Sequence, residues 1–392
     1  MNQPSSHTSS DNHEVEAEGA QDAPPSSATL KTKSTSARPK AQKHTEAYSG
    51  GTKQVPGEGW WTPPGWRHSF SWLGLPYGYL TTRRMHLPPD RTASLPVVCI
   101  GNFVAGGSGK TPVALAVARE LRKLDLKPVF LTRGYLGQTK GPLLVDEELH
   151  TSTDVGDEAL LLTRSEWTVV AADRPSGAEC AAWLGADVVV MDDGFQNPSL
   201  KKDLSIIVVD GRVGVGNGLV LPVGPLRAPL RSQLPLADMI LVVGPVGPQA
   251  TKVVRRAARF GIPITYADTV QIGSDQVEGK SVLAFAGIGR PRKFYEDLAQ
   301  AGAYVVETRS YPDHHAYTRG DASSLLRRAD KQGLHLATTA KDFVRLAHHK
   351  RGPLAELAQR TSVLDVEIQL KQPQLLQTAL SRLSGKQRVF SN

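Results

Sequence analysis

The segment Gly106-Gly107-Ser108-Gly109-Lys110-Thr111 constrains this chain more than any other, because it sits between an apolar β-branched run and an amphipathic helical pattern. Leu95 to Gly101 reads as a strand, and Thr111 to Leu124 reads as a helix with Val113, Val117, Leu121 and Leu124 on one face. In that context glycines allow a tight turn, backbone N–H groups surround phosphates at a helix N-terminus, the lysine reaches the outer phosphates and the threonine ligates magnesium. Gly106, Gly107, Ser108, Gly109, Lys110 and Thr111 are therefore candidate nucleotide contacts, with Thr111 also a candidate metal ligand. The generic eight-residue pattern asks for glycine at position 104, where this chain has Val104. The competing explanation is a Gly-Ser turn followed by a chance Lys-Thr pair.

The remainder of the chain supplies a matching scaffold. Pro128 to Thr132, Trp167 to Ala171, Asp187 to Met191, Ser205 to Val209, Met239 to Val243, Val282 to Phe285, Ala303 to Thr308, Leu334 to Thr338 and Ser362 to Ile368 read as further strands. Helical stretches at Asp157 to Arg164 and Pro175 to Leu184 separate some of them. Such alternation predicts a mostly parallel sheet covered on both faces, and the 392 residues leave room for two such sheets. The Gly- and Pro-rich stretch Gly211 to Pro229 exceeds an ordinary connection and reads as a functional loop.

Composition removes several classes. Hydrophobic residues make up 40% of the chain and charged residues 21%, which excludes collagen-like, coiled-coil and wholly disordered proteins. Cys99 and Cys180 are too few for a disulfide framework and lack zinc-site spacing, so a reducing compartment is expected. No run of about 18 apolar residues occurs, nor a secretory leader pattern. Residues 1–58 are polar, Ser/Pro/Gln-rich and nearly free of large aliphatics, and are expected to be a disordered tail. That tail carries seven acidic and six basic residues, so it contributes −1 to the formal charge of +8 and the rest of the chain carries about +9. From Trp60 the composition turns aromatic, with Trp60, Trp61, Trp66, Phe70, Trp72, Tyr77 and Tyr79 followed by Arg83 and Arg84. Residues 59–92 read either as a membrane-interface segment or as an aromatic arm packed on the folded body. Pro63, Pro64 and Pro76 prevent one long helix. Nucleic acid is disfavoured because the basic residues are scattered without aromatic stacking motifs.

Several other clusters carry chemistry. Asp192 and Asp193 end an apolar strand and can hold magnesium or its water shell, although an acidic pair after a strand is more often a solvated turn. Arg133 follows a strand where anions bind in open α/β sheets, or is plain surface. Asp157 lies in the first turn of a helix, where capping is the simple explanation. Pro312-Asp313-His314-His315-Ala316-Tyr317 suggests a metal site, yet it lacks further ligands.

Taken in order, PVVCIGNFVAGGSGKTP (96–112), LTRGYLG (131–137), VGDEAL (155–160), Asp173-Arg174, DDGFQN (192–197), GNGLVLPVGPLRAP (216–229), AFAGIGRPRKF (284–294), PDHHAYT (312–318) and TTAKDFVRL (338–346) resemble the tetraacyldisaccharide 4'-kinases of lipid A biosynthesis. The resemblance spans roughly Trp60 to Leu370. That family's phosphate loop also lacks the first glycine. Asn197 stands where the family commonly has histidine, which puts a cationic role there in doubt.

The resemblance implies two α/β/α sandwich domains, a P-loop NTPase-like domain over 93–272 and a second over 273–392, with the site in the cleft between them. It implies transfer of the ATP γ-phosphate to the 4'-hydroxyl of a tetraacylated glucosamine disaccharide 1-phosphate, with Mg²⁺, at the cytoplasmic face of a Gram-negative inner membrane. Carried over by motif, Lys110 and Thr111 belong to the nucleotide, Asp192 and Asp193 to the metal, Asp157 and His314 to catalysis, and Arg133 and Arg174 to substrate phosphates. His314 rather than His315 is expected to be the catalytic histidine from its place in the motif. An anionic membrane surface is an expected partner and no protein partner is expected. The rival expectations are a phosphate-loop enzyme acting on a soluble substrate and a nucleotide-dependent binding switch.

Overall fold

The computed structural model describes residues 60–61, 66–107 and 109–384. The expected disordered tail lies outside the described residues, as does Ser108 of the phosphate loop.

Among the described residues twelve strands form the framework: β1 (Val97–Gly101), β2 (Pro128–Thr132), β3 (Leu143–Leu144), β4 (Thr168–Val170), β5 (Val188–Asp192), β6 (Leu204–Asp210), β7 (Met239–Val243), β8 (Ile264–Ile272), β9 (Ser281–Ala286), β10 (Tyr304–Ser310), β11 (His335–Thr339) and β12 (Thr361–Leu370). Their spatial order is β10-β9-β11-β12-β8-β7-β6-β1-β5-β2-β4-β3. Pairing is parallel except for β3 with β4 and β12 with β8. β1, β2, β5, β6 and β7 are buried along their whole length, which explains why they read as continuous Val/Ile/Leu runs rather than alternating ones. Helices cover both faces of this part. The helix Lys110–Arg122 buries Val113, Val117 and Leu121 on one side, and the helices Arg174–Trp183 and Pro248–Arg259 contribute Ala178, Ala250 and Val253 to the core on the other.

Where two separate sheets were expected, the strands run as one continuous twelve-stranded sheet whose two layered halves meet at a specific junction. Ile264 to Ala267 of β8 pairs in parallel with β7, while Ala267 to Ile272 pairs antiparallel with Asp365 to Leu370 of β12. The first residues of β12, Thr361 to Leu364, pair in parallel with β11. Each of these strands thus begins in one layered half and ends in a two-stranded ribbon that leads to the other. The chain then returns, and Leu376, Leu380 and Leu383 of the helix Pro373–Ser384 bury against the helix Lys110–Arg122 in the first half.

The aromatic segment forms a 3-10 turn, Trp66–Gly74, followed by the helix Leu75–Met85 with Pro76 in its first turn. It is tied down through Thr82 Oγ1 to Ser232 Oγ at 3.0 Å and His86 Nε2 to the Ser232 carbonyl at 3.0 Å. Its outer face leaves Trp72, Leu75, Tyr79 and Leu80 at 60–69% exposure. No helix among the described residues is long and apolar enough to cross a membrane.

Candidate active site at the strand ends

The phosphate loop leaves the C-terminal end of β1, and the helix Lys110–Arg122 starts at Gly109, whose φ is +81°. Val104, which breaks the generic motif, has a structural task. It is buried, bridges to Leu226 of the long glycine- and proline-rich loop, and its carbonyl accepts from Arg227 Nε at 3.1 Å. The Gly211 to Pro229 stretch therefore braces the phosphate loop from the side.

β5 ends between these groups with the acidic pair. Asp192 Oδ2 accepts from Thr111 Oγ1 at 3.1 Å, whereas Asp192 Oδ1 is buried and meets no partner among the described residues. Burial and the charge of Glu158 push this carboxyl up to about 7, against the opposing pull of Lys110. Asp193 behaves oppositely. Burial raises it, but Lys110 and the Arg227 guanidinium outweigh that and hold it below the usual carboxylate range. Arg227 binds it through two bonds of 3.0 Å, and Lys110 Nζ stands 3.7 Å away. Asp193 also adopts φ +56°, an uncommon backbone state for a non-glycine residue. No group of three or more His, Cys, Asp or Glu side chains able to hold a metal occurs among the described residues. A magnesium ion bound with phosphates needs fewer, since it keeps several waters and takes only one or two carboxylates. The unpartnered Asp192 oxygen beside the Thr111 hydroxyl fits that requirement.

Asp157 is set by two loops that pack backbone to backbone. Gly156, at φ +85° and ψ 154°, starts the helix Asp157–Thr163, and a Cβ there would lie 2.6 Å from the Tyr135 carbonyl oxygen. The LTRGYLG and VGDEAL segments are thus two sides of one contact that aims the Asp157 side chain. His314 arrives from the second half, on a residue at φ +59°, and its Nδ1 lies 2.9 Å from Asp157 Oδ2. Arg345 Nε and Nη2 donate to the same oxygen at 2.9 and 2.6 Å. Burial raises the Asp157 pKa, yet the bonds from His314 and Arg345 prevail and hold it below its ordinary value. A carboxylate so held stays ionised, so the imidazole keeps its proton on Nδ1 and presents Nε2 as the acceptor. Lys341 Nζ lies 3.5 Å from Nε2 and 3.2 Å from Glu158 Oε1. Beneath this, Asp342 Oδ1 accepts from Gly287 N, Tyr317 Oη and Arg345 Nη1 at 2.8–2.9 Å.

His315 is occupied elsewhere. Its Nε2 lies 3.1 Å from Asp321 Oδ2, and its ring stacks on Tyr311 at 4.6 Å between centroids. Asp321 in turn forms the capping box of the helix Arg319–Gln332 with Thr318. Arg133 is exposed beyond β2. Arg174 is only 3% exposed. Its Nη1 donates to the Ala171 carbonyl at 2.8 Å and its Nε finds no acceptor among the described residues. Asn197 Oδ1 accepts from Ser199 N at 2.9 Å, which closes a local turn. Lys341, Asp342, Arg345 and Arg227 were not singled out by the sequence reading, although all four lie inside motifs that carried the resemblance.

A phosphate loop on β1, an acidic pair on the adjacent β5 and a carboxylate–imidazole pair joined across two halves define a phosphotransferase of the phosphate-loop class. A profile described as Tetraacyldisaccharide-1-P 4'-kinase matches residues 67–384. The chain is 53% identical over 274 residues to a tetraacyldisaccharide 4'-kinase of Methylobacterium radiotolerans, covering 70% of this chain and 83% of the relative. With that of Rhizobium meliloti it shares 44% over 318 residues, covering 80% and 90%. Among solved structures it is similar to LpxK from Aquifex aeolicus in complex with ATP, with a TM-score of 0.63 and 25% identity, over 81% of this chain and 99% of that one. The chain belongs to the tetraacyldisaccharide-1-P 4'-kinase family, and it is a kinase of lipid A biosynthesis.

Proposed function

We propose that the protein transfers the γ-phosphoryl group of ATP to the 4'-hydroxyl of a tetraacyldisaccharide 1-phosphate, forming lipid IVA. The observation that carries this is the 2.9 Å contact of His314 with Asp157 at the strand ends that also bear the phosphate loop. A phosphoryl group moves through a loose transition state, so positioning and charge neutralisation dominate. Lys110 and the loop amides hold the terminal phosphates. Thr111 and the free Asp192 oxygen would hold Mg²⁺, which would supply neutralisation of phosphate charge when bound. Asp193 would act through Lys110 and Arg227, which occupy its carboxylate, rather than as a direct ligand.

His314 Nε2 takes the proton of the attacking hydroxyl, while Asp157 keeps the ring oriented and stabilises the imidazolium that forms. Lys341 must give way from Nε2 for this to happen, and the arriving phosphate offers its ammonium a better partner. Arg133 and the unpartnered Nε of Arg174 are proposed contacts for substrate phosphates. The exposed aromatic face of residues 66–85 supports seating on a membrane surface, where indole and phenol rings sit at headgroup level. Arg83 and Arg84 in the last turn of the helix suit an anionic surface.

The test is direct. Purified protein with labelled ATP, Mg²⁺ and tetraacyldisaccharide 1-phosphate in detergent should give a bis-phosphorylated lipid. ATP hydrolysis without that product would point to the binding-switch alternative.

A further inference from the structure

Between the helix Leu75–Met85 and the last turn of the helix Pro248–Arg259 runs a cleft of about 510 Å³. Leu75, Val220, Leu226 and Leu234 supply apolar walls, and Arg231, Arg256 and Arg259 supply the charge. Among the described residues no carboxylate lines it. None of the three arginines' guanidinium groups makes a hydrogen bond or ion pair with another described residue. Most arginines near the reaction centre are, by contrast, paired: Arg227 with Asp193, Arg290 with Asp210 and Arg345 with Asp157. Three unneutralised guanidinium groups beside an apolar trough match an amphiphile with one aliphatic chain in the trough and an anionic phosphate at its end.

Topology separates the Arg256 and Arg259 end of this cleft from the candidate site, whereas its Leu226 wall belongs to the loop that braces the phosphate loop at Val104. The helix Pro248–Arg259 connects the parallel neighbours β7 and β8, so it runs back against the strands. Its last turn therefore lies toward the edge of the sheet opposite the phosphate loop, about 18 Å along a helix of this length. It also packs on β7 and β8, whereas the helix bearing Asp157 packs on β4 and β2. Five strand spacings, roughly 24 Å, divide β7 from β4.

We infer that this cleft binds an anionic glycerophospholipid of the membrane, with Arg231, Arg256 and Arg259 on its phosphate, as a site distinct from that of the phosphorylated acceptor. The inference rests on the membrane seating proposed above and gives it a chemical address: bilayers rich in anionic phospholipid hold the protein through one lipid drawn into the fold.

Dihexanoyl phosphatidylglycerol, titrated below its micelle concentration against the full chain, should bind saturably at one site, and dihexanoyl phosphatidylcholine at least tenfold more weakly. Arg256→Gln with Arg259→Gln should weaken phosphatidylglycerol binding at least tenfold while the melting temperature holds. Lys252→Gln with Arg255→Gln removes the same charge from exposed positions of the same helix outside the cleft, and should leave the affinity within twofold. Leu75→Glu, which places a carboxylate in the wall, should abolish binding. Equal losses in the two double variants would show a diffuse basic face and overturn the inference, as would absence of saturable binding. Competition by tetraacyldisaccharide 1-phosphate would also overturn it, by making the cleft part of the acceptor site. A failed kinase assay with intact phosphatidylglycerol binding would instead count against the proposed reaction alone.

Discussion

Asp157 receives three bonds on one oxygen, two from Arg345 and one from His314, and this crowding fixes what each residue can do. The carboxylate is committed to orientation, and in the proposed reaction His314 Nε2 is the group left to meet the acceptor hydroxyl. His314→Ala or Asp157→Ala should therefore lower turnover by about 10²- to 10⁴-fold while ATP affinity changes little, as read by steady-state kinetics alongside nucleotide titration. The same bonds tie stability to pH. Because the folded pKa of Asp157 lies below its unfolded value, its contribution is present above the unfolded pKa and is lost as pH falls through the folded one. Asp193 has the same sign. The thermal midpoint should hold near neutrality and drop as the pH is lowered below about 4, and Asp157→Asn, less stable at pH 7, should lose less over that window. Residues flanked by their own structural context, such as Lys110, Thr111 and the Asp192-Asp193 pair, were legible from sequence because strand, turn and helix are local. Arg345 was not: its partner lies 188 positions away, and nothing in VRL announces a buried ion pair. His315 and His314 look alike in sequence. Only the ring stack on Tyr311 and the bond to Asp321 tell them apart.

Among the elements, the helix Asp157–Thr163 shows how a short piece of structure is aimed. Its entry at Gly156 uses a backbone state open essentially to glycine, in contact with the Tyr135 carbonyl. Gly156→Ala should cost ~1–3 kcal/mol from backbone conformation alone. It should lower activity further than stability explains, because a shift of about 1 Å in a positioned group can cost on the order of 10²-fold. Chemical denaturation set beside kcat measures both. Parallel strands were legible through their unbroken apolar runs, and Pro128–Thr132 and Met239–Val243 fall where the sequence puts them. β8 was missed because half of it completes a sheet and half joins an exposed ribbon, so ITYADTVQI carries two burial patterns in nine residues. The aromatic segment did break at Pro76 as its prolines require, into a 3-10 turn and a separate helix.

On the scale of the whole molecule, the candidate site is shared: Lys110, Thr111, Asp157 and Asp192 come from the first layered half, and His314, Lys341 and Arg345 from the second. Arg290 reaches back across to the Gly107 carbonyl at 2.6 Å and to Asp210 at 2.8 Å, so the halves touch beside the phosphate loop as well as at the ribbon. The outward aromatic face offers a separable function. Trp72→Glu with Leu80→Glu should weaken sedimentation with anionic vesicles at least tenfold while nucleotide binding in detergent is retained, since both side chains are largely exposed.

The return of the chain to the helix Pro373–Ser384 has a consequence for biosynthesis. Leu376, Leu380 and Leu383 cover the helix that follows the phosphate loop, each contributing roughly 2 kcal/mol of burial. A ribosome that has finished every strand of the nucleotide-binding half has still left that face bare, and must make the whole second half before the covering helix emerges. The first half, though made first, is therefore completed only by the last helix of the chain that the structure describes.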